Sequence, residues 1–182
     1  MVIVQEQYLE KLLPQKEAKI QVLPKKIEQS QISTNSTSLR NGKHSYIWEN
    51  GDKYIGEWVN GKMTGEGTML WKNGNKYVGN FINGRMEGKG RYIWANGNRY
   101  SGDFKNNTMT GKGTIFLKSG DQYIGEWVNG KITGKGTMIW KNGSKYVGDF
   151  INGKMEGYGI YTNIRGQEFE GEFDNGNLIK KY

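Results

Sequence analysis

Tyrosine returns every twenty-three residues, at Tyr54, Tyr77, Tyr100, Tyr123 and Tyr146, and Phe169 takes the next place in the series. Glycine follows two positions later each time, at Gly56, Gly79, Gly102, Gly125, Gly148 and Gly171. A large aromatic follows four positions later, at Trp58, Phe81, Phe104, Trp127, Phe150 and Phe173. Paired glycines close the pattern, as at Gly65/Gly67 and Gly88/Gly90. A fixed period of this size marks an array of supersecondary units, each packed only on its neighbours. Such a chain does not build one central core around one active site.

The array has a second layer. "YIGEWVNGKMTGEGTMLWKNGNK" from Tyr54 returns almost unchanged from Tyr123, three periods on, while adjacent units agree less well. Duplication of a three-unit block accounts for this. It leaves residues 41–53 as the end of a worn unit and residues 169–182 as the front half of another.

Within a unit, "KYIGEWV" places Tyr54, Gly56 and Trp58 on one face of a strand and Lys53, Ile55, Glu57 and Val59 on the other. Asn60-Gly61 is a turn signal, since both residues accept positive φ. "GEGTMLWK" is the next strand, with Gly65, Gly67, Met69 and Trp71 on one face; Met63 falls in the connection before it. Asn73-Gly74 turns into the next unit. In the third unit Asn106-Asn107 replaces Asn-Gly, and asparagine is the usual substitute in the left-handed region. Each unit is thus two antiparallel strands and two turns. The fold class is all-β: an elongated single-layer antiparallel meander, with an extended or partly helical N-terminal tail.

Glycine inside a strand weakens it unless something large comes close. Tyr54, Trp58 and their equivalents are expected to lie across the glycine-bare backbone of neighbouring strands. Aromatic rings bury roughly 150–250 Å² each and can stabilise a sheet without an opposing layer. The composition fits: 28 glycines, 13% aromatic residues and only 35% hydrophobic residues suit a thin, turn-rich sheet better than a compact core. At about 9.6 Å per two strands, six units make a ribbon roughly 55–60 Å long.

Charge and chemistry narrow the function. The net charge is +8, spread along the chain without a long basic run, so it selects no partner. With no cysteine, disulfides and thiolate metal sites are excluded. A signal or transit layout is absent from the N-terminus, and a soluble intracellular protein is expected. The single histidine, His44, offers no catalytic constellation. Glu57, Asp103, Glu126 and Asp149 recur on the face opposite the rings, beside lysines such as Lys53 and Lys76, and read as solvated ion pairs. "GEG" and "GKG" lack the helix a phosphate loop needs. Neither enzyme activity, cofactor, metal nor nucleic acid is expected.

The pattern Y-x-G-x-[WF]-x-x-G-x-x-x-G-x-G resembles the MORN repeat (membrane occupation and recognition nexus). The resemblance covers about residues 41–176, with full units from 54, 77, 100, 123 and 146. His44 and Asn163 depart from it at the two ends. It implies an elongated β meander. The family includes radial spoke head proteins of cilia, scaffolds of the protist cytoskeleton and membrane-junction proteins, and MORN segments also occur beside enzyme domains. No attached enzyme domain is expected here. The resemblance implies a non-enzymatic scaffold, an interaction subunit of a larger assembly in the cytoplasm, at the ciliary axoneme or cytoskeleton. Its partner segment would lie along an aromatic and glycine groove made by Tyr54, Trp58, Trp71, Tyr77, Phe81, Trp94, Tyr100, Phe104, Tyr123, Trp127, Trp140, Tyr146 and Phe150. Terminal edge strands offer a second route to pairing. The alternative is a peripheral adaptor on anionic membranes.

Residues 1–40 differ in composition from residues 41–182, which form the repeat domain. Both prolines, Pro14 and Pro24, and the polar run "QSQISTNSTS" lie there, as in a linker. "VQEQYLEKLL" clusters Tyr8, Leu9, Leu12 and Leu13 on a short helix that is marginal alone. The tail is expected to be disordered, and the alternative is a docking segment that orders on a partner.

Overall fold

The computed structural model describes residues 41–182. The tail of residues 1–40, with Tyr8, Leu9, Leu12 and Leu13, lies outside them. The described residues form β1 (Gly42–Ile47), β2 (Lys53–Val59), β3 (Lys62–Leu70), β4 (Lys76–Ile82), β5 (Arg85–Ile93), β6 (Arg99–Lys105), β7 (Thr108–Phe116), β8 (Gln122–Val128), β9 (Lys131–Ile139), β10 (Lys145–Ile151), β11 (Lys154–Thr162), β12 (Glu168–Asp174) and β13 (Asn177–Lys181). These strands make one antiparallel sheet in chain order, an open single-layer meander. Among the described residues no helix is long and apolar enough to cross a membrane.

The two turns of each unit are set by their own residues. Asn60 and Gly61 both have positive φ, 50° and 72°, so the hairpin twists with its strands. Asn106 and Asn107 do the same at 50° and 67°, which is how the third unit dispenses with glycine. The second turn is closed by the Trp71 amide on the Asn75 carbonyl, and the Asn73 side chain accepts from the Asn75 amide at 3.0 Å.

Each hairpin carries one irregularity. Gly56 pairs with Gly67, but Glu57 pairs with Thr64, so Gly65 and Glu66 are inserted between them. Gly65 takes φ +56° to allow it. On its other side β3 pairs with β4 without interruption. Bulges bend the strand and raise its twist. Met63 is therefore not in a connection. The turn is only Asn60-Gly61, β3 starts at Lys62, and Met63 sits opposite Trp58 with 5% of its surface exposed.

One face of the sheet is a column of rings. Tyr54 meets Trp58 of its own unit and Phe81 of the next, Tyr77 meets Phe81 and Phe104, and the alternation continues to Tyr146 and Phe173. Centroids lie 4.9–5.8 Å apart and planes cross at 75–89° along the whole series. Edge-to-face pairs like these contribute about 0.5–1.5 kcal/mol each beyond area burial. Met63, Met69, Met86, Tyr92, Met109, Ile115, Ile132 and Met138 pack around the column and are buried.

The tyrosines lie on bare glycine. A Cβ added at Gly113 would stand 2.5 Å from Cε2 and Cζ of Tyr100, and nearer still to its hydroxyl. Each hydroxyl reaches past the glycines to a backbone carbonyl, as Tyr54 donates to Glu57 at 3.2 Å and Tyr100 to Asp103 at 3.1 Å. Burial pushes the Tyr54 hydroxyl up to about 12 and raises those of Tyr77, Tyr100, Tyr123 and Tyr146 further.

A polar ladder ties successive inter-unit turns. Oδ1 of Asp52 accepts the Lys72 amide, Asn75 that of Ala95, Asn98 that of Lys118 and Asp121 that of Lys141, all at 2.8–3.0 Å. At the next place stands Ser144, whose short side chain bonds Asn142 instead, and the ladder stops.

Candidate functional site

The ring side is filled by its own rings. Tyr54, Trp58, Tyr77, Phe81, Trp94, Tyr100, Phe104, Tyr123, Trp127, Tyr146 and Phe150 are all buried, and each of the five tyrosines contacts an aromatic ring of the next unit. Of the rings assigned to a partner groove, only Trp71 and Trp140 keep exposed surface, and they already pack on Tyr92 and Tyr161. The structure brings these residues together as a core.

The concavity opens on the opposite face. It is a trough of about 1220 Å³ running from β4 to β11. Its floor includes the side chains that directly follow the buried tyrosines. Val78, Ile124 and Val147 are 40%, 43% and 42% exposed there, with Thr114 and Thr137 on intervening strands and Ile160 on β11 beyond them. The period-2 rule places these residues away from the rings. The repeated Gly65-Glu66 type of insertion, always on the same edge of the hairpin, supplies the bending that curls this face inward.

Cations dominate the trough lining. Lys76, Lys89, Arg91, Lys112 and Lys135 line it, against Glu126 alone among lining carboxylates. Lys89 reaches Asp103 at 2.6 Å and Lys135 reaches Asp149 at 3.2 Å. The Lys89 hydrogen bond, with the Lys112 amide at 3.0 Å, lowers the Asp103 carboxyl against the opposing cost of burial. These ion pairs thus follow register, joining Asp103 and Asp149 to the lysine on the strand before; Lys43 and Glu57 do the same at 3.7 Å. Lys53 and Lys76, the neighbours suggested by sequence, are not the partners.

The trough face changes sign at its C-terminal end. Alternation on β12 puts Glu168, Glu170, Glu172 and Asp174 on that face. Tyr158 stands where the earlier units have lysine and donates to Glu170, and this bond raises its hydroxyl. Glu172 accepts from Tyr182 at 2.9 Å.

His44 lies on β1 with its Nε2 2.5 Å from the Asn41 carbonyl. Among the described residues no three of His, Cys, Asp and Glu converge as metal ligands. The trough cations were not singled out from sequence, although the signal was present. Lys89, Lys112 and Lys135 recur at one position of the period, between the paired glycines, and the same alternation that gathers the rings sends them to the other face.

Solved structures resemble the chain loosely. The TCP domain of Drosophila melanogaster SAS-4 (dCPAP), in complex with a proline-rich motif of Ana2 (dSTIL), is 14% identical, with a TM-score of 0.36 over 82% of this chain and 100% of that one. The TCP10 domain of Danio rerio CPAP, in complex with a STIL peptide, is 11% identical, with a TM-score of 0.30 over 76% of this chain and 66% of that one. A search of curated proteins gives no match. The family comparison is direct. The model of the MORN repeat matches residues 54–76, 77–99, 100–122, 123–145 and 146–166 in unbroken succession. With its period, its glycine-borne tyrosines and its single-layer meander, this chain belongs to the MORN-repeat family.

Proposed function

We propose that the protein is a non-enzymatic scaffold whose docking surface is the trough opposite the rings. The observation that carries this is the division of labour between the faces. The ring face is satisfied internally, while the other holds an open trough of about 1220 Å³. That exceeds the roughly 300–1,000 Å³ usual for small-molecule sites and suits a polypeptide segment. The scaffold serves a larger assembly in the cytoplasm, at the ciliary axoneme or another cytoskeletal structure; the radial spoke head members of the family support this placement. Of the rings first assigned to a partner groove, Trp71 and Trp140 are the ones such an assembly can still touch. Capture of stoichiometric partners from native cell extract, identified by mass spectrometry, tests the proposal. Recovery of axonemal or cytoskeletal subunits supports it, and recovery of none at physiological salt refutes it.

A second reading has its own observation. Val59, Ile82, Val128 and Ile151 stand 52–57% exposed in a row along the hairpin ends. Each is paired across its strand with a cation, respectively Lys62, Arg85, Lys131 and Lys154. Apolar tips flanked by cations suit the surface of an anionic bilayer. Flotation with phosphatidylserine vesicles that disappears at high salt, without stable protein partners, would favour this membrane adaptor.

A further inference from the structure

We infer that the trough takes an extended acidic segment of a partner protein, seated over β4–β11 and ending short of β12. This rests on the scaffold reading and names the chemistry of what the scaffold holds. Four features converge on that occupant.

The first is charge. Lys89 and Lys135 are balanced by Asp103 and Asp149, but Lys76, Arg91 and Lys112 share only Glu126 among lining carboxylates. Arg91 and Lys112 are exposed. The second is the floor. Val78, Ile124, Val147 and Ile160 lie in one row across the strands with hydroxyl-bearing Ser101, Thr114 and Thr137, and Arg91 stands in that row between Val78 and Ser101. A strand-like segment presents side chains alternately to two sides, so it can set small apolar groups on this row and carboxylates toward the flanking cations. The third is length. From β4 to β11 the trough crosses seven strand spacings, about 34 Å, the reach of roughly ten extended residues. The fourth is the acidic wall of Glu168, Glu170, Glu172 and Asp174 on β12, which repels an acidic segment and so fixes where it stops. The chain's own residues 1–40 do not fit this role, because they hold six basic and four acidic residues.

The test uses the full chain and a fluorescein-labelled peptide of twelve alternating Glu and Val residues, read by anisotropy. Its Lys-for-Glu counterpart, a single-stranded oligonucleotide and phosphatidylserine vesicles run beside it. The acidic peptide is expected to bind, weakening as salt rises, while the basic peptide does not. Arg91→Glu with Lys112→Glu, both at exposed positions, should weaken the acidic peptide by roughly tenfold or more. Glu170→Lys with Glu172→Lys should leave its affinity unchanged or strengthen it. No acidic-peptide binding, equal binding of the basic peptide, or indifference to the Arg91/Lys112 reversal would overturn the inference. So would vesicles or oligonucleotide bound through those two residues while the peptide is not. Partner capture repeated with the Arg91/Lys112 variant separates the two levels. If native partners remain bound after reversal, the scaffold stands and the trough inference fails; if wild-type protein captures no partner, the scaffold itself fails.

Discussion

Gly113→Ala should be among the most damaging single-methyl changes in the protein, and Tyr100 should be the whole reason. The new Cβ would lie 2.5 Å from Cε2 and Cζ of Tyr100, and the three nearest atoms all belong to that ring. No positive φ is involved at Gly113, so backbone strain does not contribute. Overpacking of this kind costs about 1–3 kcal/mol. Displacing the ring also breaks the hydroxyl's bond to the Asp103 carbonyl at 3.1 Å, worth about 1 kcal/mol. The expected loss is about 3 kcal/mol. Tyr100→Ala alone should cost about 3–5 kcal/mol, because the ring is fully buried. In that background, Gly113→Ala should be neutral or mildly stabilising, since alanine restricts the unfolded chain more than glycine. The coupling between the sites should then be about 3 kcal/mol, large for a contacting pair. Urea denaturation followed by tryptophan fluorescence measures it, with m-values checked because repeat arrays can lose two-state behaviour. A cost below about 0.5 kcal/mol for Gly113→Ala, or the same cost with and without Tyr100, would refute the steric account.

The ladder of turn side chains should be extensible: Ser144→Asn restores the residue found at Asn75 and should raise stability by about 0.5–1.5 kcal/mol in the same denaturation assay. The stacked tyrosines have hydroxyls raised above their unfolded value, so they hold protons in the folded state that the unfolded chain releases. Stability should therefore fall as pH rises above about 10, by at most ~1.4 kcal/mol per pH unit for each tyrosine, and the share of tyrosinate absorbance that belongs to the five buried tyrosines should appear together with unfolding rather than before it. Trp127→Ala should cost about 3–5 kcal/mol, because the indole is 1% exposed and donates to the Gly113 carbonyl at 3.3 Å. Trp71→Ala, at a half-buried ring, should cost about 1–2 kcal/mol by thermal denaturation.

The period made much of this structure legible. Strand faces, the Asn-Gly turns and the match of rings to glycines all follow from local rules, and Asn107 at φ 67° shows that even the exception obeyed one. Three things did not follow. Met63 was placed in a connection because the inserted Gly65-Glu66 pair made the unit look longer at its turn than in its strand. Proximity in sequence pairs the carboxylates with Lys53 and Lys76, whereas the partners come from the preceding strand across an uninterrupted ladder, and pairing between units is a tertiary property. The candidate docking face depended on curl and filling. Alternation says which residues share a face, but not that eleven interlocked rings use up their own side, nor which side the sheet bends toward. The trough cations were visible as a column at one position of the period, yet a column on a flat sheet is only a solvated face.

The alternating ring column sets the unit in which this chain can change over time. Every tyrosine needs one aromatic partner behind it and one ahead, so a break inside a unit leaves two half-lined seats that cannot close on each other. Removal of one whole twenty-three-residue unit brings equivalent ends together and lets the column heal, shortening the trough by about 9.6 Å without altering its cross-section. Slippage of the encoding sequence by whole repeats is thus conformationally quiet, while smaller insertions within strands are not. Reach then becomes an adjustable dimension, and the copy of the three-unit block starting at Tyr54 and again at Tyr123 is what such lengthening leaves behind.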